Sequence, residues 1–258
     1  MRRTGWCWIG VALLLATGCT QASASRRDDP TIQVGSGSTS TLRTTTSTSS
    51  STSTTTTTTL PPTTTTTTAP PPPQPGRTVT DPHGAPFAEA GGVVLVHPSA
   101  QVEHIGFHQS SNDGAQELTT LPTAVRPSTL NTRERGTGNR TAADVVVAPG
   151  TQVLAPVTGT VVKAGAYKLY CYYADETVVI EPDSHPGWHV VVLHLQGVVV
   201  AAGQRVEGGV TPIATQAHKL PFKSQVDRLA TASPPWPHVH VEVDDPAIAD
   251  TPSKGDSC

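Results

Sequence analysis

The chain has 258 residues, of which 14% are charged and 4% aromatic, too dilute in both for one uniform globular domain of that length. Its formal net charge of −3 hides a partition: the first 76 residues carry five basic and two acidic side chains, which leaves residues 77–258 with 12 basic, 18 acidic and a net −6. A domain of that sign gains nothing from counterion release, so no nucleic-acid partner is expected.

In chain order, Met1-Arg2-Arg3 is a short positive start and Trp6 to Leu15 an apolar run of about ten residues, enough for a signal peptide and too short to span a bilayer. The run ends in Leu15-Ala16-Thr17-Gly18-Cys19, which resembles the bacterial lipobox, with Ala16 at the position that prefers Leu. The expectation is a lipoprotein signal over 1–18, lipidation of Cys19, and attachment to the extracytoplasmic face of the cell membrane by that lipid alone. Residues 19–76 follow as a linker. From Ser36 to Thr68, 27 of 33 residues are Ser or Thr, and five of the next seven are Pro, a composition that cannot bury enough apolar area to offset its ordering entropy. That tract reads as a disordered tether. With Cys7 removed and Cys19 lipidated, Cys171 and Cys258 remain and can form one bridge, which would contribute about 4 kcal/mol by chain entropy.

Residues 77–139 form an N-terminal extension that ends in a polar, turn-rich stretch, Gln109 to Asn139, expected to be a long loop covering something. Elsewhere short β-branched runs recur between Gly, Pro, Asn and Asp: Gly92 to His97, Asp144 to Ala148, Val153 to Ala164, Thr177 to Glu181, His189 to Leu195 and His238 to Val243. No window carries a helical stripe, so the class is all-β, a sandwich or an open barrel. In His238-Val239-His240-Val241-Glu242-Val243 the alternation is strict, which places His238, His240 and Glu242 on one face and three valines on the other. The same rule puts His189 and His194 on opposite faces of their strand. All ten histidines lie beyond residue 76, and His83, His97, His185 and His218 read as surface residues. Trp188 and Trp236 are candidates for a glycan-binding cleft or for packing.

Residues 140–245, followed by a tail over 246–258, resemble the lysostaphin/LytM-type zinc endopeptidases that cut peptidoglycan cross-bridges. The segment Asp144-Val145-Val146-Val147-Ala148-Pro149-Gly150-Thr151-Gln152-Val153 is similar to that family's D-x-A-A-P-x-G-T-P-V stretch. Ala155 and Gly159-Thr160-Val161-Val162 continue it, Leu193-His194-Leu195 stands at its Y-x-H-L, Gly203-Gln204-Arg205-Val206 at its G-Q-x-V, and His238 to Glu242 at its H-L-H-F-E. The resemblance implies a β domain of the duplicated hybrid type. It also implies Asp144 and His240 as zinc ligands, with His194 and His238 assisting the reaction.

One position departs. Arg140 stands four residues before Asp144, where the family places its first ligand, and a guanidinium has no acceptor with which to bind zinc. Three outcomes are open: a degenerate site in which Arg140 pairs with Asp144, a site rescued by His104 or His108, or a face that binds glycan or peptide without metal. The first is favoured, so the expected function is a non-catalytic module that binds peptidoglycan or a cell-wall hydrolase. The alternative is an active zinc endopeptidase with a substitute ligand.

Overall fold

The computed structural model describes residues 84–125 and 127–251; the signal segment, Cys19, the tether and Cys258 lie outside them. Thirteen strands and one 3-10 turn make up the described chain. In order, the first strands are β1 (Pro86–Ala90), β2 (Val93–Val96), β3 (Val102–His108), β4 (Thr119–Thr120), β5 (Ser128–Thr129) and β6 (Ala142–Val147). They are followed by β7 (Val153–Leu154), β8 (Gly159–Leu169), β9 (Tyr173–Pro182), β10 (His189–Val198), β11 (Arg205–Val206), β12 (Pro212–Ala217), the 3-10 turn Val226–Leu229 and β13 (His238–Asp244). The all-β expectation holds. No helix among the described residues is long and apolar enough to cross a membrane.

The main sheet runs β11-β8-β9-β10-β13-β6-β3-β5, with β12 and β7 attached beside β10, and it does not close into a barrel. A small sheet, β2-β1-β4, supplies Phe87, Val93 and Leu95 to the same apolar cluster as Val145, Val190, Val192, Val239 and Val241. These residues alternate along their strands, so one face of the central sheet is dry and the other is free to carry polar side chains. Among the described residues, the stretch from Gln109 to Asn139 contains only the two-residue strands β4 and β5, as its composition suggests.

Strand β3 was not anticipated. It lies inside the expected N-terminal extension, yet it pairs antiparallel with β6 along nearly its whole length, opposing Gly106 to Asp144 and His108 to Ala142. On the other side of β6, β13 opposes His240 to Asp144 and Glu242 to Ala142. Directly opposed residues share a face. Three neighbouring strands therefore present His108, Asp144, His240, His238 and Glu242 together.

Candidate metal centre

Strand β10 adds a further histidine by breaking its own alternation. Val190 and Val192 point into the core, so a regular strand would send His194 after them. Instead β10 carries one residue more than β9 between Val192 and Leu195, and His194 adopts φ = 63°. This bulge turns His194 onto the polar face and returns Leu195 to the core, where it is 1% exposed. The expectation that His194 faces away from His189 is thereby overturned. His189 lies opposite Asp244, at the far end of the β10–β13 ladder from Leu193 and His240. His194 lines a cleft with His108, Asp144, His238 and His240.

The hydrogen bonds fix the orientation of each ring. His108 Nδ1 meets the Gln109 carbonyl at 2.8 Å and therefore donates, while its Nε2 lies 3.0 Å from Asp144 Oδ1. His240 Nε2 is 3.2 Å from Glu242 Oε2, and its Nδ1 is 3.2 Å from the same Asp144 oxygen. Carboxylate and carbonyl partners on the outer side of both rings aim two nitrogens and one carboxylate oxygen at a common point, all within 4.8 Å of one another. Three potential ligand atoms thus converge on one point, where ring protons donated to Asp144 can give way to a cation. Two His and one Asp, with outer partners fixing each ring, are a donor set suited to a catalytic divalent metal such as zinc.

Charge follows from this geometry. Burial alone would raise the Asp144 carboxyl, but the charges of His108 and His238 and the hydrogen bonds of His108 and His240 outweigh it and hold it well below the usual carboxylate range. Burial would likewise depress His240; its bonds to Asp144 and Glu242 prevail and push it up to about 10. His238, 3.8 Å from Asp144 through Nε2, is dominated by burial and falls to about 4, so its ring is neutral at pH 7.

Behind His194 lies a second carboxylate. Asp175 Oδ2 accepts from His194 Nδ1 and from the Tyr167 hydroxyl, both at 2.7 Å. Asp175 Oδ1 accepts from His218 Nδ1 at 3.0 Å and from the Glu176 amide at 2.9 Å. These bonds overcome the burial that would raise it, and the Asp175 carboxyl is lowered. His194 is thus held with its Nε2 free as an acceptor, 5.0 Å from the His238 ring centre to centre.

Arg140 takes no part. Its Nε donates to the Leu118 carbonyl at 3.2 Å, its Nη2 to the Thr120 hydroxyl, and its guanidinium lies over the Phe107 ring, 4.4 Å from the centroid. Strand β6 begins only at Ala142, so residue 140 is off the ladder and its side chain turns to Phe107 rather than to Asp144. The expected Arg140–Asp144 pair is not formed; among the described residues Asp144 meets His108, His238 and His240. Of the two candidate substitutes, His108 joins the donor set, whereas His104 lies opposite Val146, two residue pairs further along. The H-x-x-x-D spacing occurs once, from His240 to Asp244, but Asp244 Oδ2 accepts from Asn112 instead and is absent from the set.

Other expectations need correcting. His97 is fully buried against Phe87, and His218 belongs to the Asp175 network; neither is a bare surface residue. Trp188 stacks on His185 at 3.7 Å and packs against the core, away from the cleft, while Trp236 lies among Pro234, Pro235 and Pro237 on a separate surface. Cys171 is disulfide-bonded. Its expected partner lies outside the described residues.

The fold and the donor set together describe a β-sheet domain with a candidate site for a divalent cation. The model of peptidase family M23 matches residues 138–248, and that part of the chain is an M23 domain of the LytM type. No curated protein and no solved structure gives a significant match. The match begins after β3, so His108 comes from outside the matched residues.

Proposed function

We propose that the protein is a metal-dependent endopeptidase of the cell envelope that hydrolyses peptide bonds in peptidoglycan, with His108, Asp144 and His240 holding the metal. The carrying observation is the convergence of three possible ligand atoms, one of them from His108, where the first ligand of the motif is lacking. M23 domains typically use zinc and act on peptidoglycan. Bound there, the metal would polarise the scissile carbonyl and acidify a water. Asp144 and Glu242 keep His240 oriented, and Gln109 does the same for His108. His194, oriented by Asp175, can accept a proton at Nε2 and hand it to the leaving amine. Neutral His238 can donate a hydrogen bond to charge developing on the carbonyl oxygen. The lipid anchor at Cys19 and the tether are proposed from sequence, and would let the domain reach the wall from the membrane.

Elemental analysis and lysis of purified cell walls test this reading on the full chain. Wild-type protein is expected to carry about one zinc per chain and to release new amino termini from walls. His108→Ala should lose the metal while keeping its β-type circular dichroism, and Arg140→Gln should retain it. Zinc binding that survives His108→Ala would refute the assignment. A metal-loaded protein that binds walls and cuts nothing would leave the non-catalytic, hydrolase-regulating module.

A further inference from the structure

The cleft that holds the metal centre continues into a second groove, and Arg133, Phe222 and Lys223 line both. Two segments build its walls. Residues 130–135 of the long loop are tied to the segment before the 3-10 turn, because Arg133 Nε donates to Gln225 Oε1 at 2.9 Å and Gln225 Nε2 donates to the Asn131 carbonyl at 2.8 Å. Both segments rest on β3, where a Cβ on Gly106 would lie 2.9 Å from Leu130 and 3.1 Å from Val226. Phe222, packed against Tyr170 and Tyr173 with ring centres 6.0 and 5.0 Å away, gives the groove an apolar floor.

Its charge is opposite to that of the domain. Arg133, Arg135, Lys219, Lys223 and Arg228 line the continuous cleft, whereas Asp227 is the single acid of the outer part and already faces Lys219 at 3.5 Å. Asp144 and Glu242 within are committed to histidines. Arg133, Arg135, Lys223 and Arg228 have no carboxylate partner among the described residues, although residues 77–258 carry a six-charge acidic excess. Like charges gathered without counter-ions repel one another, and the repulsion is relieved by a ligand of opposite sign. Arg135 is anchored to the Gln109 carbonyl at 3.1 Å and Arg133 to Gln225 through Nε, which leaves both terminal nitrogens of Arg133 to meet a planar anion.

Resting on the peptidase reading above, we propose that this groove is a carboxylate-binding subsite and that the substrate is an acidic stem peptide rather than a neutral glycine bridge. A glycine bridge carries no charge between its ends and would leave four cations unmatched. A stem peptide with free carboxylates flanking the scissile amide would engage Arg133, Lys223 and Arg228 while its backbone crosses the metal centre. A long polyanion is disfavoured by the net −6 of residues 77–258 as a whole.

Binding tests the proposal independently of catalysis. The full chain is titrated with the fluorescently labelled peptide L-Ala-γ-D-Glu-L-Lys-D-Ala bearing both carboxylates, with its bis-carboxamide, and with a glycerol-phosphate oligomer. The expected result is at least tenfold tighter binding of the carboxylate form, weakened by added salt, and collapse of that preference toward unity in the double variant Lys223→Gln/Arg228→Gln. Lys163→Gln, on β8, serves as the control and should keep the preference. Equal affinity for carboxylate and carboxamide, no binding of either, a preference that survives the double variant, or tighter binding of the glycerol phosphate would each overturn the subsite. If the acidic peptide is preferred and cross-linked acidic peptides are not cut, the subsite stands and the hydrolase reading fails.

Discussion

Replacing Asp175 with Asn changes almost nothing in size and one thing in chemistry: a carboxylate that accepts four hydrogen bonds becomes an amide that must donate at one end. If Nδ2 takes the place of Oδ2, it faces the Tyr167 hydroxyl and His194 Nδ1; if it takes the place of Oδ1, it faces His218 and the Glu176 amide. The Glu176 amide cannot reverse its proton, so the first arrangement is preferred. In it His194 must move its proton to Nε2 to avoid two opposed donors. A buried, charge-assisted hydrogen bond contributes about 1.5–3 kcal/mol, and the nitrogen that should accept a proton is blocked by about that amount. At about 1.4 kcal/mol per decade, kcat falls by roughly 10- to 150-fold. Bound zinc and KM should change little, because Asp175 contacts none of the three donor residues and does not itself line the cleft. The assay combines kcat and KM on cross-linked peptide, zinc content, and ¹⁵N spectra of the His194 ring, which should show an Nδ1 proton in the wild type and its loss in Asp175→Asn. A variant that keeps stoichiometric zinc and a kcat within threefold of wild type would refute the positioning role, as would an unchanged His194 tautomer.

Further predictions concern protons, backbone and packing. His240 stands at about 10, so at neutral pH its ring is charged until metal displaces a proton; zinc uptake should release about one proton per ion and tighten with rising pH, read by calorimetry in buffers of different ionisation enthalpy. Burial first, and the Glu242 charge second, raise Asp244 to about 8. A carboxyl whose folded pKa lies above its unfolded value stabilises fully below the unfolded value and loses that contribution as pH rises through the folded one. Asp244→Asn should therefore stabilise by upward of about 1 kcal/mol at pH 8 and by little at pH 4, measured by urea unfolding. Asp175 is lowered and works the other way, its contribution present above the ordinary Asp value and lost as pH falls through the folded one. At the bulge, His194→Val should cost about 1–3 kcal/mol more than His194→Gly, because β-branched residues resist φ near 63°.

What could be read from the sequence was whatever depends on local periodicity. The strict alternation of His238 to Val243 placed two histidines and Glu242 on one face, and β13 presents them so. Asp144 was legible because its neighbours match a known stretch. His108 was named only as one of two candidates, since its place follows from the pairing of β3 with β6 across the whole of the intervening loop, a register that no local spacing encodes. His194 was legible only through the resemblance, for alternation rules count residues and the extra one in β10 changes the parity and so its facing. Asp175 and Tyr167 come from β9 and β8, and His218 directly follows β12. Each is an ordinary residue in its own segment, and only the ladder makes them a network.

On the proposed reading, the placement of His108 on β3 separates where a metal centre sits from how it is spelled. On a sheet, a point above one strand is within reach of the strand beside it. A ligand lacking just before β6 can thus be supplied by its neighbour without moving the other two. The strand order then carries the chemistry that the H-x-x-x-D motif usually carries, and a piece beginning at residue 138 would keep the M23 match while losing the histidine that completes the set.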